Sequence, residues 1–187
     1  MLYVNMREKN VTVLGPFERY ALWTSGCNRN CPGCISPESH KIENGEQLSV
    51  EMLAWEIYSG KTEGITISGG EPFLQAKALA KLIRMVRKLR DIGVIIYTGY
   101  TYEELETVEG AGELLKECDL LIDGPYIKEL DDGKSLRGSS NQRVIPLTDR
   151  YKDFLNLYGV EGRRFQVKNL HSEEIHYIGI PTKSEYN

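Results

Sequence analysis

The chain has 187 residues, of which 41% are hydrophobic and 27% are charged. This length suffices for one domain with a hydrophobic core, and no apolar run approaches the roughly 20 residues that a membrane-spanning helix needs. The net charge of −4 argues against non-specific nucleic-acid binding, which requires clustered Lys and Arg. The first residues, MLYVNMREKN, lack the apolar core of a signal peptide, so we expect a cytoplasmic protein with reduced thiols.

Hydrophobic periodicity predicts the secondary structure in chain order. Residues 2–14 predict an edge strand or a hairpin, and YALWT (20–24) predicts a short buried strand with Trp23 in the core. A helix over 50–58, a strand over 64–68, an amphipathic helix over 75–89 and a strand over 93–97 follow. TYEE (101–104) has the capping-box pattern and predicts the start of a helix at Thr101. A helix over 111–117 and a strand over 120–122 complete the series.

This alternation of strands and helices is typical of an α/β fold with a parallel sheet and crossover helices. A closed eight-stranded barrel takes about 250 residues, so we predict an open, partial (β/α) barrel with a mostly parallel sheet. We assign this core to residues 1–146. Residues 147–187 are predicted to form a C-terminal extension, in the same domain or appended to it. A helix over 149–157 and a hairpin over 165–167 and 175–180 are expected there.

Three of the four cysteines, Cys27, Cys31 and Cys34, lie within the stretch CNRNCPGC. An odd number of thiols in a reducing compartment disfavours a disulfide. A structural zinc site would need a fourth ligand, for which His40 or Cys118 is available. The third interpretation is an iron–sulfur cluster, in which three thiolates would leave one iron open. An open coordination position is typical of a catalytic metal.

A glycine pair and an acid follow the predicted strand 64–68, in the stretch ISGGEPF (67–73). Alone, Gly69 and Gly70 predict a tight turn, and Glu71 suits the first turn of a helix. The carboxyl ends of parallel strands meet at one edge of a sheet. We therefore expect this loop to lie beside the cysteine loop and beside residues 98–100.

Together the two motifs, C-x3-C-x2-C and GGEP, resemble those of the radical S-adenosylmethionine (SAM) enzymes. The resemblance implies that Cys27, Cys31 and Cys34 hold a [4Fe–4S] cluster whose open iron is chelated by SAM. An electron from the reduced cluster then cleaves SAM to methionine and a 5′-deoxyadenosyl radical. The predicted SAM site comprises Gly33, Ile35, Ser68, Gly69, Gly70, Glu71, Thr98, Asp123 and Arg137.

Three further stretches, YTGYTYEEL (97–105), LLIDGPYI (120–127) and LRGSSNQRVI (136–145), resemble the activating proteins of anaerobic ribonucleotide reductase. This resemblance implies that the chain forms a glycyl radical on a large protein partner and receives electrons from flavodoxin or ferredoxin. Two positions depart from the family pattern: Ile35 replaces an aromatic residue expected against adenine, and Phe17 replaces a glycine in a Gly-Pro-Gly stretch.

The sequence is also compatible with two other functions. One is a radical SAM enzyme that modifies a peptide or a small molecule. The other is a non-catalytic iron–sulfur or zinc module for electron transfer, which would close the fourth ligand position with Cys118 or His40. No nucleic-acid or membrane partner is expected under any of these interpretations.

Overall fold

The computed structural model describes residues 1–157, 162–169 and 175–180. The rest of the predicted extension, residues 158–161, 170–174 and 181–187, lies outside the described residues. The strands are β1 (Leu2–Val11), β2 (Arg19–Thr24), β3 (Glu46–Leu48), β4 (Gly64–Gly69), β5 (Gly93–Tyr97), β6 (Leu120–Asp123), β7 (Arg143–Pro146), β8 (Phe165–Asn169) and β9 (Ile175–Gly179). The α-helices are α1 (Val50–Ser59), α2 (Ala76–Leu89) and α3 (Ala111–Leu115). Short 3-10 helices cover Pro37–His40, Ile42–Asn44, Pro72–Gln75, Glu104–Thr107, Lys128–Leu130 and Asp149–Leu157.

Seven of the strands form one sheet in the order β3-β1-β2-β4-β5-β6-β7. The central strands β2, β4, β5 and β6 pair in parallel, and the outer strands are added through antiparallel pairings. Five of the seven strands therefore point the same way, and the predicted α/β fold with a mostly parallel sheet is confirmed. Over the described residues the sheet is open, with β3 and β7 at its edges. In the described part of the chain, no helix is long and apolar enough to cross a membrane.

The α-helices cover one face of this sheet. Leu22, Ile67 and Ile96 point into that layer from three neighbouring strands, where they meet Leu53 of α1 and Ile83 of α2. All five side chains are fully buried. Burying an aliphatic side chain of this size stabilises the fold by about 1.5–3 kcal/mol, so this layer forms the main hydrophobic core.

The other face of the sheet carries a buried cation. Arg19, the first residue of β2, is fully buried. Its guanidinium donates to Thr66 Oγ1 (2.5 Å), to the Ile65 carbonyl oxygen (2.7 Å) and to Tyr151 Oη (2.9 Å). A buried charge is tolerated only when its hydrogen bonds are made. The acceptors of Arg19 lie on β4 and on the extension, so the residue joins both of them to β2.

Two glycines make room for this contact. A Cβ on Gly64 would lie 2.3 Å from Arg19 Nη1, and a Cβ on Gly93 would lie 2.1 Å from Tyr151 Oη. Neither distance is compatible with a side chain. The first residues of β4 and β5 are therefore glycines because the Arg19 guanidinium and the Tyr151 hydroxyl occupy the space beside them.

A second contact between the core and the extension involves Phe17. Its backbone has φ +63°, a left-handed conformation that favours glycine. Its ring packs edge-on against Phe154, with ring centroids 5.1 Å apart. The position at which the sequence departs from the Gly-Pro-Gly pattern thus keeps a glycine-like backbone and contacts the extension.

The helices predicted after residue 100 differ from those observed. The capping box forms, because Thr101 N donates to Glu104 Oε2 (2.7 Å) and Glu104 N donates to Thr101 Oγ1 (3.3 Å). Only the 3-10 turn Glu104–Thr107 follows it, since Gly110 adopts φ +77° and redirects the chain into α3. The helix predicted over 149–157 is a 3-10 helix that is interrupted at Tyr151, whose ring packs on Arg19.

Other differences concern strands. The strand predicted within residues 2–14 is confirmed as β1, which pairs antiparallel with β2 and is covered on its other side by β3 at Leu2–Val4 alone, among the described residues. The short strands β3 and β7 were not predicted, since three or four residues are too few to show alternation. Trp23, predicted to lie in the core, is half-buried and packs against the cluster that contains Val11 and Ile178. The C-terminal hairpin, defined as β8 and β9, is confirmed.

We predict that Arg19→Met lowers the free energy of unfolding by about 1–3 kcal/mol, because it leaves buried acceptors without a donor. Urea denaturation monitored by circular dichroism measures this change. Tyr151→Phe removes a single hydroxyl and should cost about 1 kcal/mol. An Arg19→Met protein as stable as the original would contradict the role given to this residue.

Candidate active site

The loops that follow β2, β4, β5 and β6 meet at one edge of the sheet because these strands are parallel neighbours. They enclose a cavity of about 180 Å³. Ten of the predicted site residues line it: Cys27, Cys31, Gly33, Cys34, Ile35, Ser68, Gly69, Gly70, Glu71 and Thr98. Asp123 and Arg137 do not line it. The sheet order therefore brings together the two motifs that the sequence singled out.

The cysteine loop is held by backbone hydrogen bonds to the 3-10 helix Pro37–His40. Gly26 N donates to the Ser39 carbonyl oxygen (2.8 Å), and Cys27 N donates to the His40 carbonyl oxygen (2.9 Å). The end of the loop turns tightly, with Gly33 at φ +74°, a conformation that glycine adopts without strain. These contacts place all three thiols of the motif at the cavity.

The three thiols are half-buried, and burial raises the pKa values of Cys27 and Cys34. A metal cation bound to the thiols would favour their thiolate forms and so offset this rise in their pKa values. Among the described residues, no three His, Cys, Asp or Glu side chains converge to hold a single metal ion. In a cubane cluster each thiolate binds a different iron, so three spaced thiols facing one cavity are a suitable donor set. The residues present fit a [4Fe–4S] cluster.

The two residues considered as a fourth zinc ligand lie in different places. His40 lines the cavity, with Nε2 3.3 Å from Cys34 Sγ. Cys118 is buried in the core on the helix side of the sheet, where its thiol donates to the Leu120 carbonyl oxygen (3.2 Å). Cys118 is therefore not placed to act together with the cysteine loop.

The glycine pair joins the GGEP loop to the cysteine loop through the backbone. Gly70 N donates to the Thr24 carbonyl oxygen, and Glu71 N donates to the Gly26 carbonyl oxygen, both at 2.7 Å. A Cβ on Gly69 would lie 2.3 Å from Thr24 N, and a Cβ on Gly70 would lie 2.3 Å from the Gly26 carbonyl oxygen. Any side chain at either position would push the two loops apart.

Glu71 joins the GGEP loop to the loop after β5. Its carboxylate is fully buried and accepts hydrogen bonds from Phe73 N (3.0 Å), Thr98 Oγ1 (2.8 Å) and Gly99 N (2.8 Å). Burial raises the pKa of Glu71 to about 7, and the three donors partly oppose this effect. The side chain therefore has a structural task in addition to any contact with a ligand.

Sequence reasoning missed a contact between the cysteine loop and the loop after β5. Asn28 Nδ2 donates to Tyr100 Oη (2.6 Å), and the Arg29 guanidinium lies over the Tyr100 ring, 4.7 Å from its centroid. Arg29 also forms an ion pair with Glu104 (3.3 Å) and lines the cavity. No local pattern indicates this contact, because it joins residues more than 70 positions apart.

Sequence reasoning also missed aromatic residues of the cavity wall. Trp23 of β2 and Tyr97 of β5 line it. Each directly follows a residue buried under the helices, Leu22 and Ile96, so strand alternation places it on the opposite face. The alternation along β2 and β5 could therefore have predicted that Trp23 and Tyr97 face away from the helices. Tyr126 also lines the cavity, from the segment after β6, where no pattern indicated it.

The two predicted site residues outside the cavity are held by ion pairs. The buried Asp123 carboxylate accepts from Arg143 Nε (3.0 Å) and from Tyr102 N (2.7 Å). Arg137 forms an ion pair with Asp132. Asp123 therefore orients the start of the capping-box loop, and neither residue is placed among the groups that face the cavity.

Comparison with known proteins agrees with this geometry. Residues 13–145 match the family described as a 4Fe-4S single cluster domain, so the chain is an iron–sulfur protein of that class. An anaerobic ribonucleoside-triphosphate reductase-activating protein from Vibrio cholerae is 34% identical over 146 residues, which cover 73% of this chain and 92% of that protein. The protein of the same name from Enterobacteria phage T4 is 32% identical over 143 residues, covering 73% and 89%. The chain belongs to the family of anaerobic ribonucleoside-triphosphate reductase-activating proteins.

An activating enzyme of a second kind is also similar to this chain. The pyruvate formate-lyase-activating enzyme of Staphylococcus aureus is 31% identical over 162 residues, which cover 76% of this chain and 60% of that enzyme. The resemblance to glycyl-radical-activating enzymes of the radical SAM type, drawn from the motifs, is thereby confirmed.

We predict that Glu71 makes the stability of the cluster-free protein depend on pH. The pKa of Glu71 in the folded protein, about 7, is above its ordinary value of 4.5, so the folded state binds more protons between these values. Relative to Glu71→Gln, the unfolding free energy should fall by up to about 3 kcal/mol as the pH rises from about 4.5 to about 7. Urea denaturation of both proteins across this range tests the slope, and parallel pH profiles would refute it.

We predict that Gly70→Ala lowers the iron and sulfide content after anaerobic reconstitution and costs about 1–3 kcal/mol of stability. The added methyl group would displace the Gly26 carbonyl and with it the cysteine loop. Gly112→Ala is the matched control, because no heavy atom lies within 4 Å of its Cβ position. Equal iron content in the two variants would show that the glycine pair does not position the cysteines.

Proposed function

We propose that this chain is a radical SAM enzyme that installs a glycyl radical on an anaerobic ribonucleotide reductase. A [4Fe–4S] cluster would be held by Cys27, Cys31 and Cys34. SAM would be seated by residues of the same cavity: Gly33, Ile35, Ser68, Gly69, Gly70, Glu71 and Thr98. When bound, the reduced cluster would supply the electron for cleavage of SAM, and this chemistry would lead to removal of a hydrogen atom from the glycine Cα of the partner.

One observation carries the proposal: the three thiols and the GGEP loop line the same cavity at the carboxyl ends of parallel strands. Chemistry in parallel α/β folds takes place at this edge. The close backbone approach at Gly69 and Gly70 fixes the thiols relative to the loop on which SAM would rest.

The residues of the chain would bind, orient and shield the cofactors. Ile35 is 43% exposed and lines the cavity, so its apolar side chain is available to pack on the adenine base. Trp23, Tyr97 and Tyr126 supply aromatic walls that would keep water from a reactive radical. Arg29 is positively charged and faces the cavity, where it would offset part of the negative charge of a thiolate-ligated cluster.

The proposal includes the architecture and the partners. We take the open sheet to be the partial barrel of the radical SAM type, with residues 1–146 as its catalytic part. An open sheet leaves a side from which a protein substrate can reach the cavity. The outer side of the cysteine loop is exposed at Asn28, Asn30 and Pro32. Flavodoxin or ferredoxin would approach the cluster from this side. We place the enzyme in the cytoplasm, where thiols remain reduced.

The test is anaerobic reconstitution with iron and sulfide, followed by dithionite and SAM, with 5′-deoxyadenosine quantified by mass spectrometry. Addition of anaerobic ribonucleoside-triphosphate reductase should then give a glycyl radical signal in electron paramagnetic resonance. We predict that Cys34→Ala abolishes both products. A protein with a full cluster that cleaves no SAM, even with the reductase present, would instead be an electron-transfer module.

Cys118→Ala is the matched control for the loss of a thiol. Its side chain lies in the core, so the variant should lose some stability but keep its iron and both products. His40→Ala tests the fourth-ligand alternative and should also retain the cluster. Tight binding of zinc without binding of iron, lost in His40→Ala, would overturn the proposal in favour of a closed zinc site.

A further inference from the structure

The C-terminal hairpin exposes an apolar face. The exposed fractions of Phe165, Val167 and Tyr177 are 53%, 52% and 70%. Phe165 and Val167 alternate along β8, and Val167 pairs with Tyr177 of β9, so the three side chains share one face. The rings of Phe165 and Tyr177 are 6.3 Å apart. Aromatic residues clustered on an exposed surface are typical of binding sites.

The hairpin is fixed to the core by its other face. Ile178 is buried against Val11 and Leu14. Gln166 accepts from Thr12 N (3.1 Å) and donates to the Asn10 carbonyl oxygen (3.0 Å). The exposed face therefore has a defined orientation relative to the sheet.

The exposed face is continuous with the cavity of the candidate active site. Phe165 pairs with Gly179, and both Gly179 and Ile180 line the cavity. A polypeptide that crosses the face from Tyr177 towards Gly179 therefore reaches the cavity wall. Within the described residues, the hairpin combines an exposed aromatic surface with a wall of the cavity.

The character of the face favours apolar contacts over charge. Arg163 forms an ion pair with Asp131 (2.5 Å), and Lys168 forms one with Glu8 (2.8 Å). These two cations are thus engaged within the chain. The hairpin also lies beyond residues 13–145, the segment that matches the family. The hairpin is therefore suited to determine which partner protein is bound, while the segment that matches the family carries the cluster motif.

We propose that Phe165, Val167 and Tyr177 bind the segment of the radical-acceptor protein that flanks its target glycine, through apolar and ring contacts. This proposal rests on the proposed function, because it assumes that the substrate is a protein. The segment is expected to be extended and to carry apolar side chains. Binding on this face would direct the glycine past Ile180 into the cavity.

The test uses the reconstituted full-length protein and the anaerobic ribonucleoside-triphosphate reductase of the same organism. The double variant Phe165→Ser/Tyr177→Ser should bind the reductase at least about tenfold more weakly in calorimetry without SAM. It should give a correspondingly lower glycyl radical yield at subsaturating reductase. Cleavage of SAM with dithionite in the absence of reductase should be unchanged. Phe165→Leu/Tyr177→Leu retains apolar contact and should recover most of the affinity.

The matched control is Trp55→Ser/Tyr58→Ser on α1. These rings are also exposed and paired, 5.5 Å apart, but they lie on the helix-covered side of the sheet. Their loss should leave the affinity for the reductase unchanged. Unchanged affinity in the hairpin variant, or equal losses in the two variants, would overturn the proposal. A hairpin variant that changes self-association alone would assign the face to a second copy of the chain and also overturn it.

Failure of the proposed function would look different. It would appear as an absence of 5′-deoxyadenosine from the original protein, whatever the affinity for the reductase. Because binding is measured without SAM, the assignment of the hairpin face is decided independently of the radical chemistry.

Discussion

The arrangement of the site depends on the burial of one carboxylate, that of Glu71. An isolated buried charge is costly, and the chain compensates by directing three donors at it from two loops. The same residue binds the cysteine loop through its backbone N–H. Three segments that are distant in sequence are therefore fixed around one side chain. Catalysis by a cofactor-borne radical needs this precision, since the protein contributes mainly orientation.

The extension completes the face of the sheet that the helices leave uncovered. Tyr151 accepts from Arg19 at the amino ends of the strands, and Ile178 joins the apolar cluster near β1. The two ends of that face thus differ. One is filled by a buried cation and its neutral partners, and the other is left open as the cavity.

Much of the fold and of the site followed from local patterns. The parallel strands were visible as apolar runs, and their order alone brings Cys27 and Gly69 to one edge. Contacts such as that of Asn28 with Tyr100 could not be predicted, because they depend on loop geometry that no local pattern encodes. Asp123 was assigned to the site with the stretch LLIDGPYI (120–127), which resembles the activating proteins, but its carboxylate pairs with Arg143. Its partner Arg143 begins a four-residue strand that is too short to be recognised.

The left-handed backbone of Phe17 links a departure from the family pattern to the extension. A non-glycine residue in this conformation costs about 1–2 kcal/mol. The edge-on contact of its ring with Phe154 contributes about 0.5–1.5 kcal/mol. The two terms nearly cancel, so a bulky residue is tolerated here because the extension supplies a ring to receive it. Phe17 and Phe154 are thus energetically coupled, and removing the ring of Phe154 would leave the backbone strain at Phe17 without compensation.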